Sequence, residues 1–386
     1  MISRSWGARF APFVAIVCAA VLGTLTGAQP AAAALGVPSQ IVGVSISSGD
    51  STLTIRVAAP ASNGSPITGY GARCTGNGKT VSAQSVSPPV VVRNLANNVF
   101  YSCVIHAVNA VGAGPASYVR PGMPGVNYIK TTYTYCSPGG APQLMDFFRP
   151  KGGAVVPAVM FVHGGGWYSG YRKLDGSLLA TLFTSRGFAL ATVDYRLAPA
   201  VNPAQQLRDI ACAVRFLRAH SARLGIAADK VGGMGASAGG NLISMLGVNP
   251  PKVLASDQWP GQSDKLQAVI DEFGITEFGP DQMQIMPELF YFFGTHDQSV
   301  IDSYGPVNYV TPGDSPFLIV HGVLDRTVPI HEASDFYNLL QTANVPSTFV
   351  PIANMGHSFQ PVGGNPNPSM VTVFTDEIRF FSQYLR

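Results

Sequence analysis

The chain has 386 residues, of which 46% are hydrophobic and 12% are charged, and its formal net charge is +3. This length exceeds one average domain, so we expect two folded domains. The apolar content excludes a disordered chain, and the small net charge without a basic run argues against nucleic-acid binding.

Residues 1–34 have the pattern of a secretory signal. Arg4 and Arg9 give a positively charged start, residues 11–27 form an apolar run, and residues 31–34 are small cleavage-site alanines. An uncleaved membrane anchor is the alternative, but the run is short for a spanning helix. We therefore expect a secreted protein with no stable membrane span after signal removal. Four cysteines would remain, an even number that suits an oxidising compartment: Cys74, Cys103, Cys136 and Cys212.

The segment 36–120 has the pattern of an all-β domain. Short runs of β-forming residues are separated by turn residues such as Asn63-Gly64 and Asn97-Asn98. The spacing of these runs predicts a small β-sandwich. The predicted strands lie at 51–57, 67–74, 90–94 and 100–109.

This segment resembles a fibronectin type III domain. Val57 stands where tryptophan is usual in that family, and Tyr101 resembles its tyrosine corner. In the topology that the resemblance implies, the strands of Cys74 and Cys103 are neighbours with both side chains facing inward. A Cys74–Cys103 disulfide is therefore expected, with two buried free thiols as the alternative. The matching stretches are 53–55, 60–70, 95–101 and 107–117.

Residues 121–130 contain prolines and glycines and are predicted to be a linker, after which strand and helix patterns alternate over 131–386. Alternation of this kind predicts an α/β domain with a mostly parallel sheet flanked by helices. Cys212 lies on a predicted helix face, and a buried thiol is the simpler interpretation there. The predicted strands are 158–162, 189–193, 266–270, 317–320 and 348–352, with another near Val231, and the helices are 177–185, 202–224, 238–246 and 330–341.

Two glycine-rich motifs carry the chemistry. Ser237 is the centre of Gly235-Ala236-Ser237-Ala238-Gly239 and lies between a predicted strand and a predicted helix. A Gly-x-Ser-x-Gly turn exposes a serine hydroxyl, because its glycines let the two backbones approach closely. The upstream motif His163-Gly164-Gly165-Gly166-Trp167 can direct backbone N–H groups at a developing negative charge. The alternative is that both motifs are tight turns with no catalytic role.

An acid and a base follow the serine in the chain. Asp325 comes shortly after the predicted strand 317–320, and His357 follows the strand 348–352. A neutral imidazole can take the serine proton while a carboxylate holds the ring in place. His321 is predicted to pack in the acid's own loop, and His163 to orient the glycine run. No group of His, Cys and carboxylate residues has zinc-like spacing, so neither a metal nor a cofactor is expected.

These motifs resemble the α/β-hydrolase superfamily, in its hormone-sensitive-lipase-like and feruloyl/acetyl-xylan-esterase-like branches. The resemblance implies that Ser237 is the nucleophile, His357 the base and Asp325 its partner. It also implies that the backbone N–H groups of Gly164, Gly165 and Ala238 form the oxyanion hole. The matching text also includes Asp194-Tyr195-Arg196, Asp209, 213–215, 321–329 and 356–359, while Glu277 stands where aspartate is more usual and receives no role.

The leading hypothesis is a secreted serine carboxylic-ester hydrolase that acts through an acyl-enzyme. Its substrates would be short-chain or aromatic esters, either small molecules or groups attached to a polysaccharide or polyester. Trp167 and Tyr168 are expected to bind substrate, or else to belong to the core. The fibronectin-like segment would be a spacer or bind a polymer surface, and the hydrolase would fold and act without it. A prolyl-oligopeptidase-like serine peptidase and a non-catalytic surface-binding protein are the alternatives.

Overall fold

The structure is a computed structural model that describes residues 35–174, 177–248, 258–287 and 289–386. The signal predicted for residues 1–34 lies outside this range. In the described part of the chain, no helix has both the length and the apolar character needed to cross a membrane. Leu35–Arg386 form one compact unit, which contains both predicted folded domains.

The first part of this unit is a β-sandwich, as the fibronectin type III pattern predicts. One sheet has the strand order β1-β2-β5 and the other has the order β4-β3-β6-β7. Side chains alternate between a buried and a more exposed face along β6, because successive residues of a strand point to opposite faces. The strands are β1 (Ser45–Gly49), β2 (Thr52–Arg56), β3 (Ile67–Gly76), β4 (Lys79–Ser85), β5 (Val90–Val92), β6 (Tyr101–Asn109) and β7 (Arg120–Gly122).

Two details of the sandwich confirm predictions from the sequence. Cys74 and Cys103 are register partners on β3 and β6, and they form a disulfide with their Cα atoms 4.1 Å apart. The Tyr101 hydroxyl accepts a hydrogen bond from the Ala96 backbone N–H at 3.0 Å, as a tyrosine corner requires.

The second part is an eight-stranded sheet with helices on both faces. The strand order is β15-β14-β13-β12-β10-β11-β9-β8, in which β8 and β9 pair antiparallel and β10 to β15 pair parallel. Central strands such as β11 are buried along their whole length, because helices cover both faces. The strands are β8 (Tyr128–Cys136), β9 (Gln143–Pro150), β10 (Val156–Val162), β11 (Ala189–Val193), β12 (Ile226–Ala236), β13 (Val269–Glu272), β14 (Phe317–Gly322) and β15 (Ser347–Ile352).

Local sequence explains where two helices begin. Ser177 caps α1 by accepting a hydrogen bond from the Ala180 N–H, and Asn202 with Gln205 forms a capping box at the start of α2. The predicted helix 202–224 is divided at His220 into α2 and α3. The helices are α1 (Leu178–Ser185), α2 (Pro203–Ala219), α3 (Ser221–Leu224), α4 (Ala238–Gly247), α5 (Pro280–Ile285), α6 (Leu289–Phe293), α7 (Gln298–Asp302), α8 (Ile330–Thr342) and α9 (Met370–Leu385).

Half of the segment predicted as a linker, 121–130, belongs to strands of the two parts. Its first two residues belong to β7, and β8 begins at Tyr128. Between these strands, Met123 is completely buried in the same apolar cluster as α1 and α9. The two parts of the unit are therefore packed together.

Cys136 and Cys212 also form a disulfide, so the interpretation of Cys212 as a buried thiol is wrong. The bond joins the end of β8 to α2, with the two Cα atoms 6.4 Å apart. The two residues are 76 positions apart in the sequence, and only the packing of α2 against the sheet brings them together.

Candidate active site

Ser237 lies at a sharp turn between β12 and α4. Its backbone has φ 55° and ψ −121°, a conformation that non-glycine residues rarely adopt and that is typical of a functional turn. The flanking glycines make the turn sterically feasible. A β-carbon on Gly239 would collide with the Val162 carbonyl oxygen, and one on Gly235 would collide with Gly239. The serine side chain is thus held at the carboxyl end of a central strand.

The structure brings the three predicted triad residues together. His357 Nε2 lies 2.9 Å from Ser237 Oγ, and His357 Nδ1 lies 2.7 Å from Asp325 Oδ2. Asp325 follows β14 and His357 follows β15, so the loops after neighbouring parallel strands carry them. In the tautomer that fits these contacts, Nδ1–H donates to the carboxylate and Nε2 accepts from the serine hydroxyl.

Asp325 is held as a carboxylate by several donors. Its side chain accepts hydrogen bonds from the backbone N–H groups of Thr327 and Val328 at 2.8 and 2.9 Å. Burial would raise the pKa of Asp325, but hydrogen bonds from His321, His357 and the Val328 N–H outweigh it. The pKa of Asp325 is therefore well below its ordinary value, and the group is charged at neutral pH.

His321 is a neighbour of the acid and not of the serine. Its ring is completely buried, with Nε2 at 2.9 Å from the Val328 carbonyl oxygen and 3.4 Å from Asp325 Oδ2. It packs in the acid's own loop, as expected from the sequence. The structure adds that His321 and His357 both approach the same carboxylate oxygen, Asp325 Oδ2.

Two of the predicted oxyanion donors, Gly164 and Ala238, lie next to the serine. Gly164 runs next to it, since a β-carbon there would lie 3.1 Å from Ser237 Cβ. Ala238 is the first residue of α4, so its N–H has no acceptor within the helix and stays available to a ligand. Gly165 has φ +116°, which an L side chain rarely adopts, so glycine is required in this loop.

His163 holds the glycine loop in shape. Its Nδ1 lies 2.8 Å from the Gly164 carbonyl oxygen, and its ring stacks on Tyr195 at 4.4 Å. The Tyr195 hydroxyl in turn donates to the His163 carbonyl at 3.1 Å. Burial lowers the pKa of His163, so the ring is neutral at neutral pH.

Trp167 and Tyr168 differ in accessibility. Trp167 is completely buried, and its ring stacks on Phe292 with the ring centroids 4.9 Å apart. The Phe278 ring also contacts it, at 5.8 Å between centroids. Tyr168 is half-buried, and its ring lies 6.2 Å from Phe292. The structure therefore places Trp167 in the core, which is the alternative that the sequence left open, whereas substrate contact by Tyr168 stays a prediction. Tyr291 is exposed and Phe293 is buried.

The sequence predicts a hydrogen-bonded turn between Asp194 and Arg196 and an ordinary polar role for Asp209 on its helix, but the structure shows two other ion pairs. Asp194 pairs with Arg172 at 2.5 Å. Arg196 instead pairs with Asp209 at 2.7 Å, and Asp209 is 2% exposed. Asp209 is therefore a buried structural anchor rather than an ordinary polar residue of its helix.

One contact of the base was not predicted. Phe273 follows β13, and its ring meets the His357 ring edge-on at 5.0 Å. The Phe359 ring also packs edge-on against Phe273, with the two ring centroids 4.6 Å apart. A phenylalanine after a strand has no sequence signal that distinguishes it from core, so this packing is visible only in the structure. Among the described residues, no group of three or more His, Cys, Asp or Glu side chains is arranged to hold a metal ion.

Both parts of the chain match known protein families. The BD-FAE family profile matches residues 145–340, and the fibronectin type III domain profile matches residues 37–122. Esterase LipC of Mycobacterium tuberculosis is 26% identical over 61% of this chain and 62% of its own length. The chain spans 51–62% of the length of the first curated relatives that it matches.

Two solved structures share the fold of the second domain. One is a butyrate-bound thermophilic esterase from Thermogutta terrifontis, with a TM-score of 0.57 and 23% identity over 66% of this chain and 94% of that one. The other is a truncated carbohydrate esterase from gut microbiota, with a TM-score of 0.55 and 21% identity over 67% of this chain and 97% of that one. These structures and the strand order above establish an α/β-hydrolase fold. The chain belongs to the BD-FAE family and carries a fibronectin type III domain ahead of its α/β-hydrolase domain.

Proposed function

We propose that the protein is a serine carboxylic-ester hydrolase. The observation that carries this proposal is the continuous hydrogen-bond chain from Ser237 Oγ through His357 to Asp325, beside Gly164. A serine, a base, an orienting acid and nearby backbone donors are the parts that acyl transfer requires. The names of two relatives, an esterase and a probable carboxylic ester hydrolase, agree with this chemistry.

In the proposed reaction, Ser237 Oγ attacks the ester carbonyl carbon while His357 Nε2 accepts its proton. The carbonyl oxygen becomes an oxyanion that accepts hydrogen bonds from the N–H groups of Gly164, Gly165 and Ala238. His357 then protonates the leaving alcohol as the carbon–oxygen bond breaks and an acyl-enzyme forms. A water molecule, activated by the same imidazole, attacks the acyl-enzyme and releases the acid and the free serine. Asp325 stays ionised throughout and stabilises the imidazolium.

Short-chain or aromatic esters are the proposed substrate class, as small molecules or as groups on a polymer. In support of this class, one structural neighbour is a butyrate-bound esterase and the other is a carbohydrate esterase. Export of the protein is also proposed, on the signal pattern of residues 1–34 and the two disulfides. Binding of a polymer surface by the fibronectin type III domain is a further part of this proposal.

Hydrolysis of 4-nitrophenyl acetate, 4-nitrophenyl palmitate and a chromogenic dipeptide amide tests the reaction class. We expect the acetate to be the best substrate and the amide to be unaffected. Ser237→Ala should lower kcat by several orders of magnitude, because only binding and oxyanion contacts remain. Ser244→Ala is a matched control for loss of a hydroxyl, since Ser244 is buried on α4 and bonds to Asp271. Near-wild-type turnover by folded Ser237→Ala would refute the proposal.

A further inference from the structure

The loop that carries His357 contains two strained residues. Ser358 and Phe359 have φ values of 56° and 52°, in the left-handed region. Non-glycine residues rarely adopt this conformation, so surrounding contacts must hold it. Within the loop, the Gly356 N–H donates to the Gln360 carbonyl at 2.8 Å, and the Gln360 N–H donates to the His357 carbonyl at 3.2 Å. These bonds close the loop on itself but do not attach it to the rest of the protein.

The fibronectin type III domain supplies an attachment from outside the hydrolase domain. Arg120, the first residue of β7, donates from Nη1 to the Phe359 carbonyl oxygen at 3.0 Å. The same guanidinium donates from Nη2 to Gln360 Oε1 at 2.7 Å. Hydrogen bonds from a charged donor are about twice as strong as neutral ones, and the planar fork fixes both acceptors in direction.

The neighbouring residue of the sandwich contributes a second contact. The Val119 N–H donates to Asn365 Oδ1 at 2.9 Å, and the Asn365 carbonyl accepts from Asn354 Nδ2 at 3.0 Å. Asn354 precedes His357 and itself has φ 58°. The sandwich therefore contacts the chain directly at Phe359, Gln360 and Asn365, all after His357. Asn365 in turn links this contact to Asn354, which lies before His357.

Phe359 is linked to the base through a chain of aromatic contacts. Phe359 packs against Phe273, and Phe273 packs against the His357 ring. Arg120 is half-buried at this junction, and burial lowers the pKa of its guanidinium. A shift of the Phe359 backbone would move the His357 ring through both the covalent chain and the aromatic stack.

We propose that Arg120 is a positioning residue for His357, so that the fibronectin type III domain completes the active site instead of serving only as a spacer. The inference rests on the proposed esterase function. It replaces the expectation that the hydrolase domain without residues 36–120 keeps its full activity. A domain that holds the base in place is required for the chemical step even though it supplies no group that touches the substrate.

The test compares Arg120→Ala, Arg120→Lys and, as a control, Arg73→Ala, an exposed arginine of the same sandwich. With 4-nitrophenyl acetate, Arg120→Ala should lower kcat about tenfold and leave KM within about twofold, because a small misplacement of a catalytic group lowers the rate of the chemical step. Arg120→Lys keeps the charge but reaches a single acceptor, so it should restore part of the activity. Arg73→Ala should match the wild type.

A second measurement does not depend on turnover. The proton on His357 Nδ1, bonded to Asp325, should give a low-field proton NMR signal that is absent in His357→Ala. We expect this signal to be broadened or lost in Arg120→Ala and retained in Arg73→Ala. If Arg120→Ala does not fold, Gln360→Ala removes one of the two acceptors and should show a smaller effect of the same kind.

Folded Arg120→Ala with unchanged kcat and an unchanged His357 signal would overturn the inference. So would a loss of activity that Arg120→Lys does not partly restore, or an effect of equal size in Arg73→Ala. A wild-type protein that hydrolyses no ester would refute the proposed function, and the NMR comparison would still decide whether Arg120 positions His357.

Discussion

Glu272 and Glu377 form a buried pair of carboxyl groups whose ionisation should destabilise the protein at alkaline pH. Glu272 ends β13, directly below the serine turn, where its backbone carbonyl accepts from the Ser237 N–H at 2.9 Å. Glu377 lies on α9 and is completely buried. Burial raises the pKa of Glu272 to about 8, and burial together with the charge of Glu272 raises the pKa of Glu377 well above its ordinary value.

The folded and the unfolded protein release the glutamate proton at different pH values. In the unfolded chain a glutamate ionises near its ordinary value of 4.5, whereas the folded protein keeps the Glu272 proton up to about pH 8. The stability from this group is therefore complete below about pH 4.5 and is lost as the pH rises through about 8. Each proton contributes a slope of at most about 1.4 kcal/mol per pH unit, so Glu272 alone accounts for about 5 kcal/mol at most.

The substitution Glu377→Gln tests this effect, because glutamine keeps the shape of the glutamate side chain and cannot ionise. Its free energy of unfolding, from urea denaturation, should be within about 1 kcal/mol of the wild type at pH 5 and several kcal/mol higher at pH 8.5. Asp335→Asn, an exposed carboxyl on α8, is the control and should show no pH-dependent difference. A difference between Glu377→Gln and wild type that stays constant from pH 5 to pH 8.5 would refute the reasoning.

Three further substitutions follow from the geometry of the site and the fold. Asp325→Asn should lower kcat for 4-nitrophenyl acetate by about 10⁴-fold in a folded protein, because the imidazole loses its orienting carboxylate, and retention within tenfold would contradict this role. Gly164→Ala would place a β-carbon 2.8 Å from the Ala236 carbonyl oxygen, so we expect at least a tenfold loss of kcat, and wild-type kinetics would exclude Gly164 from the site. Replacing Cys136 and Cys212 together by serine removes a cross-link across 76 positions and should lower the free energy of unfolding by about 4 kcal/mol, whereas an unchanged urea midpoint would show that the bond is absent in solution.

The sequence by itself determined the parts of this protein that depend on local pattern. Runs of β-forming residues between turns predicted the sandwich strands β2, β3, β5 and β6, but not β1, β4 or β7. Continuous apolar runs predicted the buried parallel strands, because a strand covered on both faces needs apolar residues along its length. The motifs around Ser237, Asp325 and His357 were readable because the turn and the strand ends need particular residue types. The edge strand β8 and its neighbour β9 were not predicted, and neither was helix α9, although its buried residues follow helical spacing.

Only the tertiary structure shows which residues that are far apart in the sequence are in contact. The Cys136–Cys212 bond, the exchange of ion-pair partners between Asp194 and Asp209, and the burial of Trp167 depend on packing between segments far apart in the chain. The contact of Arg120 with the Phe359 carbonyl joins residues 239 positions apart. No local pattern marks such pairs, because the free energy of each contact depends on a neighbour that only the folded chain supplies.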